Sequence, residues 1–434
     1  MEHKKLKQYV VTLAALAVLS GCSDAAPVAE PIQPKSAAGS LVMVGGALSS
    51  SNAVVYQRFI SLAGDKAAKI AVIPAASGQP VKYFKQFISD MVRYGVAPER
   101  VTLMPVALSD DKSTPDQDES TWRDNAMKQA LADDLSSYTA VWFLGGDQLN
   151  ITAALRKDDI DTPLLTAIHA LYQRGGVIGG TSAGAAIMSE VMIAAGDSWG
   201  ALTQGLTDSY NGMQDQENGP LMLSRGLGFF SHGIIDQHFD RKARFGRLIV
   251  ATELNKARFP LGFGIDEDSA LVFDAASKKL EAIGNGAVTL VDVSQAQKIE
   301  NSQGYQINNV RLSILQGGDM FDLTTRQFEP QPDKLATVGS EYLNIAKPVV
   351  SGVFSRNTRL KDMLTFDLVD NKGASEVVSY LMQGEGIGFT LRFSQDEQTQ
   401  GYWQYLDGLK DNGSAYNVKL SITPSRFSVT ELAP

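Results

Sequence analysis

Five short apolar segments constrain the fold more than any other feature of this sequence. They read LVMVGG (41–46), KIAVIPAAS (69–77), RVTLMPV (100–106), AVWFLGGDQ (140–148) and GGVIGGTS (175–182). Runs of this length, rich in apolar and β-branched residues and closed by Gly, Pro or Ser, are typical of buried strands. Amphipathic, helix-like segments lie between them, for example 82–95 and 162–175. The alternation predicts an α/β fold with a mainly parallel sheet.

The turns that follow these segments predict where a site lies. In an open α/β sheet, ligands bind at the carboxyl ends of the strands. The turns PAAS (74–77), LGGDQ (144–148) and GGTSAG (179–184) are therefore expected to meet along one edge of the sheet.

Length and composition predict one large domain and a smaller one. The chain has 434 residues, of which 44% are hydrophobic, enough for a large core. Residues 41–330 carry the α/β pattern. Residues 331–434 instead alternate apolar and polar residues between Gly and Asn turns, which predicts a small β-rich C-terminal domain.

The first 40 residues have the layout of an export signal and a tether. Lysines precede a short apolar stretch that ends in Leu-Ser-Gly-Cys, so residues 1–21 are predicted to be a signal peptide. This ending resembles a bacterial lipoprotein signal, in which Cys22 would be lipidated, and Ser23 after it favours the outer membrane. The Ala-, Pro- and Ser-rich remainder of 22–40 predicts a flexible tether.

Charge and cysteine content exclude several classes of function. The net charge is −9 and no basic run is present, which argues against nucleic-acid binding. Cys22 is the only cysteine in the chain, so it has no partner for a disulfide or a thiolate metal site. No glycine loop has the lysine and spacing of a nucleotide-binding P-loop.

The segment Gly180-Thr181-Ser182-Ala183-Gly184 fits the pattern G-x-S-x-G. A serine nucleophile on a strand-to-helix turn adopts a strained backbone conformation, so its neighbours two residues away must be small. The turn also points the next amide, that of Ala183, towards a developing oxyanion. A tight turn in a packed core would need the same small residues, but the position after an apolar run favours a nucleophile.

A serine nucleophile needs a base, and three histidines follow the signal segment. His169 lies within a helical pattern, and His232 follows two phenylalanines, so both fit packing positions. His238 ends an apolar run, where a catalytic residue of an α/β sheet is expected. An acid that orients the imidazole is expected among Asp266, Glu267 and Asp268, which interrupt an apolar strand pair. The residues alone leave the choice among the three open, although a hairpin turn explains Asp268 well.

Several motifs in the same order resemble the cyanophycinases, a serine peptidase family that also contains aspartyl dipeptidases. The motifs are VIPAAS (72–77), FLGGDQLNI (143–151), GGTSAGAAIM (179–188), GLGFFSHGIIDQHFDRKARFGRL (226–248), GFGIDEDSALV (262–272) and LQGGDMFDL (315–323). The resemblance covers about residues 41–330. It implies a three-layer fold of the class I glutamine amidotransferase type.

The resemblance also implies roles for individual residues. It makes Ser182 the nucleophile, His238 the base and Glu267 the acid of a Ser-His-Glu triad. The amides of Gly146 and Asp147, with that of Ala183, are the oxyanion-hole candidates. The candidates for substrate binding are Gln148, Asp236, Gln237, Arg244 and Arg247.

One position departs from the family pattern. The family has an arginine four residues after the histidine, where this chain has Lys242, preceded by Arg241. Lysine keeps the charge but lacks the planar fork that binds a carboxylate through two hydrogen bonds. The departure bears on the choice of substrate more than on the peptidase mechanism.

The resemblance implies an exported serine peptidase that cleaves cyanophycin through an acyl-enzyme. Cyanophycin is a poly-aspartate chain with arginine on each side-chain carboxyl, and the products would be β-Asp-Arg dipeptides. No metal or organic cofactor is implied, contact with a membrane is expected through the lipid anchor alone, and pairing into a homodimer is common in the family. The alternatives are a dipeptidase acting on isoaspartyl or α-aspartyl peptides, and a non-catalytic surface lipoprotein. An amidotransferase lacks its nucleophilic cysteine here.

Overall fold

A computed structural model of the chain describes residues 38–346, 360–382, 386–406, 410–428 and 430. The predicted signal peptide, the predicted lipidation site Cys22 and the predicted tether up to residue 37 lie outside the described residues. None of the described helices combines the length and apolar character that crossing a membrane requires.

The helices of the described residues are short to medium in length. In chain order they are α1 Ala53–Ala63, α2 Pro80–Arg93, α3 Gln129–Asp134, α4 Gln148–Leu155, α5 Pro163–Gln173, α6 Ala183–Ala186, α7 Ser198–Thr203, α8 Phe245–Leu254 and α9 Leu360–Asp362, the last continuing into a π-helical segment Met363–Leu368. Both helical segments that the sequence predicts are confirmed, as α2 and α5.

The strands divide between two large sheets and two small two-stranded ones. In chain order they are β1 Ser40–Val44, β2 Ile70–Ile73, β3 Val101–Leu103, β4 Ala140–Phe143, β5 Arg156–Lys157, β6 Ile160–Asp161, β7 Val177–Thr181, β8 Val191–Ala195, β9 Met222–Arg225, β10 Ile234–Gln237, β11 Leu261–Ile265, β12 Ser269–Asp274, β13 Lys279–Gly284, β14 Ala287–Asp292, β15 Gln297–Lys298, β16 Ile307–Gln316, β17 Met320–Asp322, β18 Gln327–Glu329, β19 Leu335–Ala336, β20 Glu376–Met382, β21 Gly386–Ser394, β22 Gln400–Leu406 and β23 Lys410–Phe427.

The first sheet contains the five strands that the apolar segments predict. Its order is β18-β17-β13-β12-β1-β7-β4-β2-β3. The segment from β1 to β3 is parallel throughout, whereas β12, β13, β17 and β18 extend it by antiparallel pairing. The predicted α/β fold with a parallel sheet is confirmed, and the antiparallel extension is an addition to it.

Helices cover both faces of this sheet, which makes the three layers. Val42 and Val44 of β1 pack in one apolar cluster with residues of α1 and α2. Leu41 and Met43, which point the other way because side chains alternate along a strand, pack in a second cluster with residues of α4 and α5. Burial on both faces explains why the parallel strands are continuously apolar in the sequence.

The second large sheet brings the C-terminal strands onto the α/β core. Its order is β10-β11-β14-β16-β23-β21-β20, with β22 paired to the other part of β23. The described part of residues 331–434 is β-rich, as the sequence predicts. Their strands, however, continue this sheet through the pairing of β23 with β16, so a boundary at residue 330 does not separate one sheet from another.

Candidate active site

Ser182 lies at the sharp turn between β7 and α6, as the G-x-S-x-G pattern predicts. Its backbone has φ 55° and ψ −116°, and its amide donates to the Val44 carbonyl oxygen at 3.0 Å. A Cβ on Gly180 would lie 2.4 Å from the Gly184 carbonyl oxygen, and a Cβ on Gly184 would lie 2.5 Å from that of Phe143. The two glycines of the pattern are therefore needed so that the turn can close.

His238 reaches the serine from the second sheet. It follows the last residue of β10 with φ 46°, and its amide donates to the Gly45 carbonyl oxygen at 2.6 Å. Its Nε2 lies 2.9 Å from Ser182 Oγ, and its Nδ1 lies 2.6 Å from Glu267 Oε1. The three side chains thus form a continuous hydrogen-bonded chain from hydroxyl to imidazole to carboxylate.

The three consecutive acids lie where the chain crosses between the sheets. The strands on either side of them, β11 and β12, belong to different sheets, so the expected strand pair is not a hairpin. Glu267 faces His238 and also accepts from Arg241 at 3.0 Å. Asp268 instead accepts from the Ser49 amide and the Asn52 side chain, both before α1, and from the Asn285 side chain between β13 and β14. Asp266 accepts from the amides of Asp240 and Ala287.

The surroundings of the imidazole favour its neutral form. Burial lowers the pKa of His238 below its ordinary value of 6.5, and the charges of Lys242 and Arg244 act in the same direction against the opposing effect of Glu267. Burial would raise the pKa of Glu267, but the hydrogen bonds from His238 and Arg241 outweigh it and lower that pKa. A neutral imidazole beside an ionised carboxylate is the state in which histidine accepts a proton from a serine.

The pH dependence of activity should report this histidine. If His238 is the base, kcat/KM should fall on acidification with a midpoint below pH 6.5, because only a neutral imidazole can take the serine proton and the pKa of His238 is lowered. Glu267 stays ionised through this window, since its pKa lies below 4.5. The measurement is a pH–rate profile of the wild type and of the His169→Gln and His232→Gln variants. A midpoint above 6.5, or a midpoint that moves in either variant, would contradict the assignment to His238.

A glycine that the sequence does not single out leaves space for the imidazole ring of His238. Gly46, after β1, has φ 108°, and a Cβ there would lie 2.4 Å from His238 Nε2 and 2.3 Å from Cε1. The glycine is needed both for its backbone conformation and for the space of the ring. Its signal in the sequence is the Gly-Gly at the end of the first apolar run.

We expect Gly46→Ala to lower kcat by roughly 10–100-fold, because a displacement of the base by about 1 Å is enough for such a loss. Gly64→Ala is the matched control, since Gly64 has the same φ of 108° and its Cβ would meet its first neighbour at 3.9 Å. The measurement is kcat of both variants together with their thermal unfolding midpoints. Equal loss of kcat in the two variants would show that backbone strain, and not the contact with His238, is responsible.

The predicted oxyanion donors separate into two groups. The Asp147 amide donates to the Ala76 carbonyl oxygen at 3.0 Å, so in this structure it already has an acceptor. In the part of the chain that the structure describes, the amides of Gly146 and Ala183 make no such bond. Gly145 borders the serine, because a Cβ on it would lie 3.2 Å from Ser182 Cβ. Gly146 and Ala183 remain the candidates.

The two predicted glutamines occupy different environments. Gln237 is buried at the site, and its side-chain amide lies 3.3 Å from Ser182 Oγ. Gln148 lies in the first turn of α4 and donates to the carbonyl oxygens of Ile193 and Ala194 at 3.2 and 2.8 Å. Its Nε2 therefore ties two segments of the core together.

The predicted charged substrate ligands form a buried cluster of their own. Asp236 accepts from Arg247 Nε at 2.8 Å and from Arg247 Nη2 at 2.6 Å, and the side chains are 2% and 1% exposed. Arg244, also 2% exposed, donates to the Gln237 carbonyl oxygen at 2.7 Å and to Glu217 at 3.2 Å. The structure gives all three residues internal partners, and their predicted role in substrate binding stays a prediction.

The position that departs from the family pattern lies at the rim of this cluster. Lys242 forms an ion pair with Glu217, the same acid that Arg244 contacts. Arg241, its neighbour, forms the contact with Glu267 instead. Lys242 and Arg241 therefore form ion pairs with different acids.

The other two histidines pack against aromatic rings, as their sequence context predicts. The His169 ring lies 4.5 Å from that of Phe229, and His232 lies 5.7 Å from Phe230 and 5.4 Å from Phe273, between ring centroids. Neither has a contact with Ser182 among the hydrogen bonds of the described residues.

A cavity of about 510 Å³ opens beside the serine at the carboxyl ends of the parallel strands. The predicted meeting of the turns after β2, β4 and β7 is confirmed there. Its lining residues are Ala47, Leu48, Tyr56, Ser77, Gly78, Gln79, Tyr83, Gln86, Phe87, Asp90, Trp142, Leu144, Gly145, Gly146, Thr181, Ser182 and Met213. The residues from α1 and α2 were not predicted from the sequence.

Comparison with known proteins identifies the family. A model of peptidase family S51 matches residues 122–281, a range that includes Ser182, His238 and Glu267. The chain is 32% identical over 298 residues to the cyanophycinase of Synechococcus elongatus, covering 67% of this chain and 81% of that one. It is 32% identical over 296 residues to the cyanophycinase of Geminocystis herdmanii, covering 66% of this chain and 95% of that one.

A solved structure is also similar. A peptidase from an acI-B1 actinobacterium is 20% identical, with a TM-score of 0.43, over 66% of this chain and 97% of that one. The sequence relatives define a class of enzyme, the serine-type peptidases. Within this class, the chain belongs to peptidase family S51 and is of the cyanophycinase type.

Proposed function

We propose that this peptidase hydrolyses cyanophycin to β-Asp-Arg dipeptides with Ser182, His238 and Glu267 as its catalytic triad. The observation that carries the proposal is the hydrogen-bonded chain from Ser182 through His238 to Glu267, beside a cavity large enough for a peptide unit. The choice of cyanophycin as the substrate is inferred from the relatives named cyanophycinase.

The geometry allows a sequence of proton transfers. His238 Nε2 takes the proton of Ser182 Oγ as the oxygen attacks a main-chain aspartyl carbonyl, and Glu267 stabilises the imidazolium that forms. The amides of Gly146 and Ala183 are the proposed donors to the oxyanion. His238 then protonates the leaving amine. In the second half, His238 takes a proton from the water that attacks the acyl-enzyme and returns it to Ser182 Oγ as the ester bond breaks. Cleavage in the main chain leaves each arginine on its aspartate, as the dipeptide product requires.

The test is incubation of the purified chain with suspended cyanophycin, followed by turbidity and by mass analysis of the products. We expect the suspension to clear and β-Asp-Arg to accumulate. Cleavage of isoaspartyl or α-aspartyl dipeptides without clearing would move the substrate to small peptides. Absence of cleavage in every case would favour a non-catalytic binding protein and overturn the proposal.

We also propose that the chain is exported and anchored through lipid on Cys22, with the outer membrane as its destination. The support is the lysine-led apolar segment that ends at the single cysteine, followed by Ser23. Labelled palmitate should enter the wild type and not Cys22→Ser, and the labelled protein should fractionate with the outer membrane. Equal labelling of both forms would contradict the anchor.

A further inference from the structure

The wall of the active-site cavity contains a buried carboxylate for which the proposed mechanism has no use. Asp90, near the end of α2, is 4% exposed and lines the same cavity as Ser182. Its position on the second helix explains why no motif of the sequence points to it.

The partners of Asp90 are all neutral. Its Oδ2 accepts from the Tyr56 hydroxyl at 3.0 Å and from Gln86 Nε2 at 3.3 Å, and its Oδ1 accepts from the same nitrogen at 3.2 Å. Within the described ranges, no lysine, arginine or histidine forms an ion pair with it. Asp236 and Asp319, in contrast, are buried against Arg247 and Lys334.

The carboxylate retains free capacity as an acceptor. Gln86 Nε2 also lies 3.1 Å from Ser50 Oγ, so a second hydrogen remains for the two oxygens of Asp90 to share. An ionised carboxylate accepts about four hydrogen bonds. Burying one without a cation is unfavourable, which leaves a place for a positive charge that arrives with the substrate.

Four aromatic side chains also line this cavity. Tyr56, Tyr83, Phe87 and Trp142 line the cavity together with Asp90, and Phe87 is stacked on Trp142 with 5.0 Å between ring centroids. A planar guanidinium stacks on aromatic faces and donates two parallel hydrogen bonds to a carboxylate, whereas an ammonium does neither as well.

We propose that Asp90 and these rings are a guanidinium subsite, which receives the arginine side chain of the substrate. The identity of the substrate rests on the proposed function, but binding of the guanidinium does not depend on cleavage. Asp236, also a candidate for substrate binding, is already paired with Arg247, whereas Asp90 has no such cation among the described residues.

Binding to the full chain carrying Ser182→Ala tests the subsite without turnover. The probes are β-Asp-Arg and β-Asp-citrulline, which replaces the guanidinium by a neutral urea group of similar shape. We expect added Asp90→Asn to weaken β-Asp-Arg binding by about thirtyfold or more, as for a buried ion pair that loses one partner. The citrulline peptide should bind weakly and equally to both forms. Asp133→Asn, which removes an exposed acid, is the matched control and should change nothing.

Equal binding of β-Asp-Arg to the two forms, equal binding of the two peptides, or no binding of β-Asp-Arg would each overturn the subsite. Ethylguanidinium should compete with β-Asp-Arg, and ethylurea should not, which tests the inference even if Asp90→Asn fails to fold. Clearing of cyanophycin by Asp90→Asn at the wild-type rate would remove the subsite and leave the proposed function. If β-Asp-Arg binding depends on Asp90 but the wild type does not clear cyanophycin, the subsite stands and the proposed function is overturned.

Discussion

Ser182→Ala is expected to lower kcat by roughly 10⁴–10⁶-fold, because it removes the nucleophile and leaves binding and oxyanion stabilisation alone. KM should change little, since the alanine fits the same turn with φ 55° that the small neighbours allow. The measurement is single-turnover release of β-Asp-Arg from cyanophycin. Ser136→Ala, at an exposed serine, is the matched control and should retain full activity.

His238→Ala should lose a similar factor, and the double variant Ser182→Ala/His238→Ala should be no worse than either single variant. Residues that act as one unit in catalysis are strongly non-additive. Additive losses, or a Ser182→Ala variant with more than about one per cent of wild-type kcat, would show that Ser182 and His238 do not act together as the catalytic group.

The sequence was sufficient for the features that local chemistry determines. The five parallel strands could be predicted because burial on both faces makes them continuously apolar. The strand-to-helix turn at Ser182 could be predicted from Gly180 and Gly184, and the position of His238 at the end of a strand could be predicted from the apolar run before it.

The features that depend on tertiary contacts could not be predicted in this way. The choice among Asp266, Glu267 and Asp268 depends on a crossing between two sheets, which gives each consecutive side chain a different neighbour. Residue patterns alone do not reveal that crossing, and only the resemblance selected Glu267. The contribution of Asp90 is hidden for a similar reason, because an acid on an amphipathic helix is normally exposed.

The charged residues in and after β10 have internal partners that the sequence motif does not reveal. Arg247 fits a carboxylate ligand by type and position. In the structure, Arg247 Nε and Nη2 donate to the Asp236 carboxylate. Its Nη1 donates to the carbonyl oxygens of Gly196 and Gln216 at 2.5 and 2.9 Å. Asp236 lies in β10, two residues before His238. Its ion pair with Arg247 therefore helps to hold the strand that leads to His238.

Arg247→Met is therefore expected to destabilise the protein by about 3–5 kcal/mol, because it leaves Asp236 buried without its main partner. Arg244 Nη1, at 3.8 Å, is too far away to replace the two short bonds. The measurement is the shift of the urea unfolding midpoint, which should be large and should be partly recovered in Asp236→Asn/Arg247→Met.

Arg247 could bind the substrate or hold the strand before His238, and the KM and stability of Arg247→Met distinguish these two roles. The same substitution in an exposed ion pair is the control. Arg58 pairs with Glu281 at 2.7 Å, with 43% and 29% of their side chains exposed, so Arg58→Met should cost at most about 1 kcal/mol. If Arg247→Met raises KM at unchanged stability, Arg247 contacts the substrate as the resemblance implies. If stability falls and the remaining folded enzyme keeps its KM, Arg247 positions the strand before His238, and the substrate must find its polar partners elsewhere in the cavity.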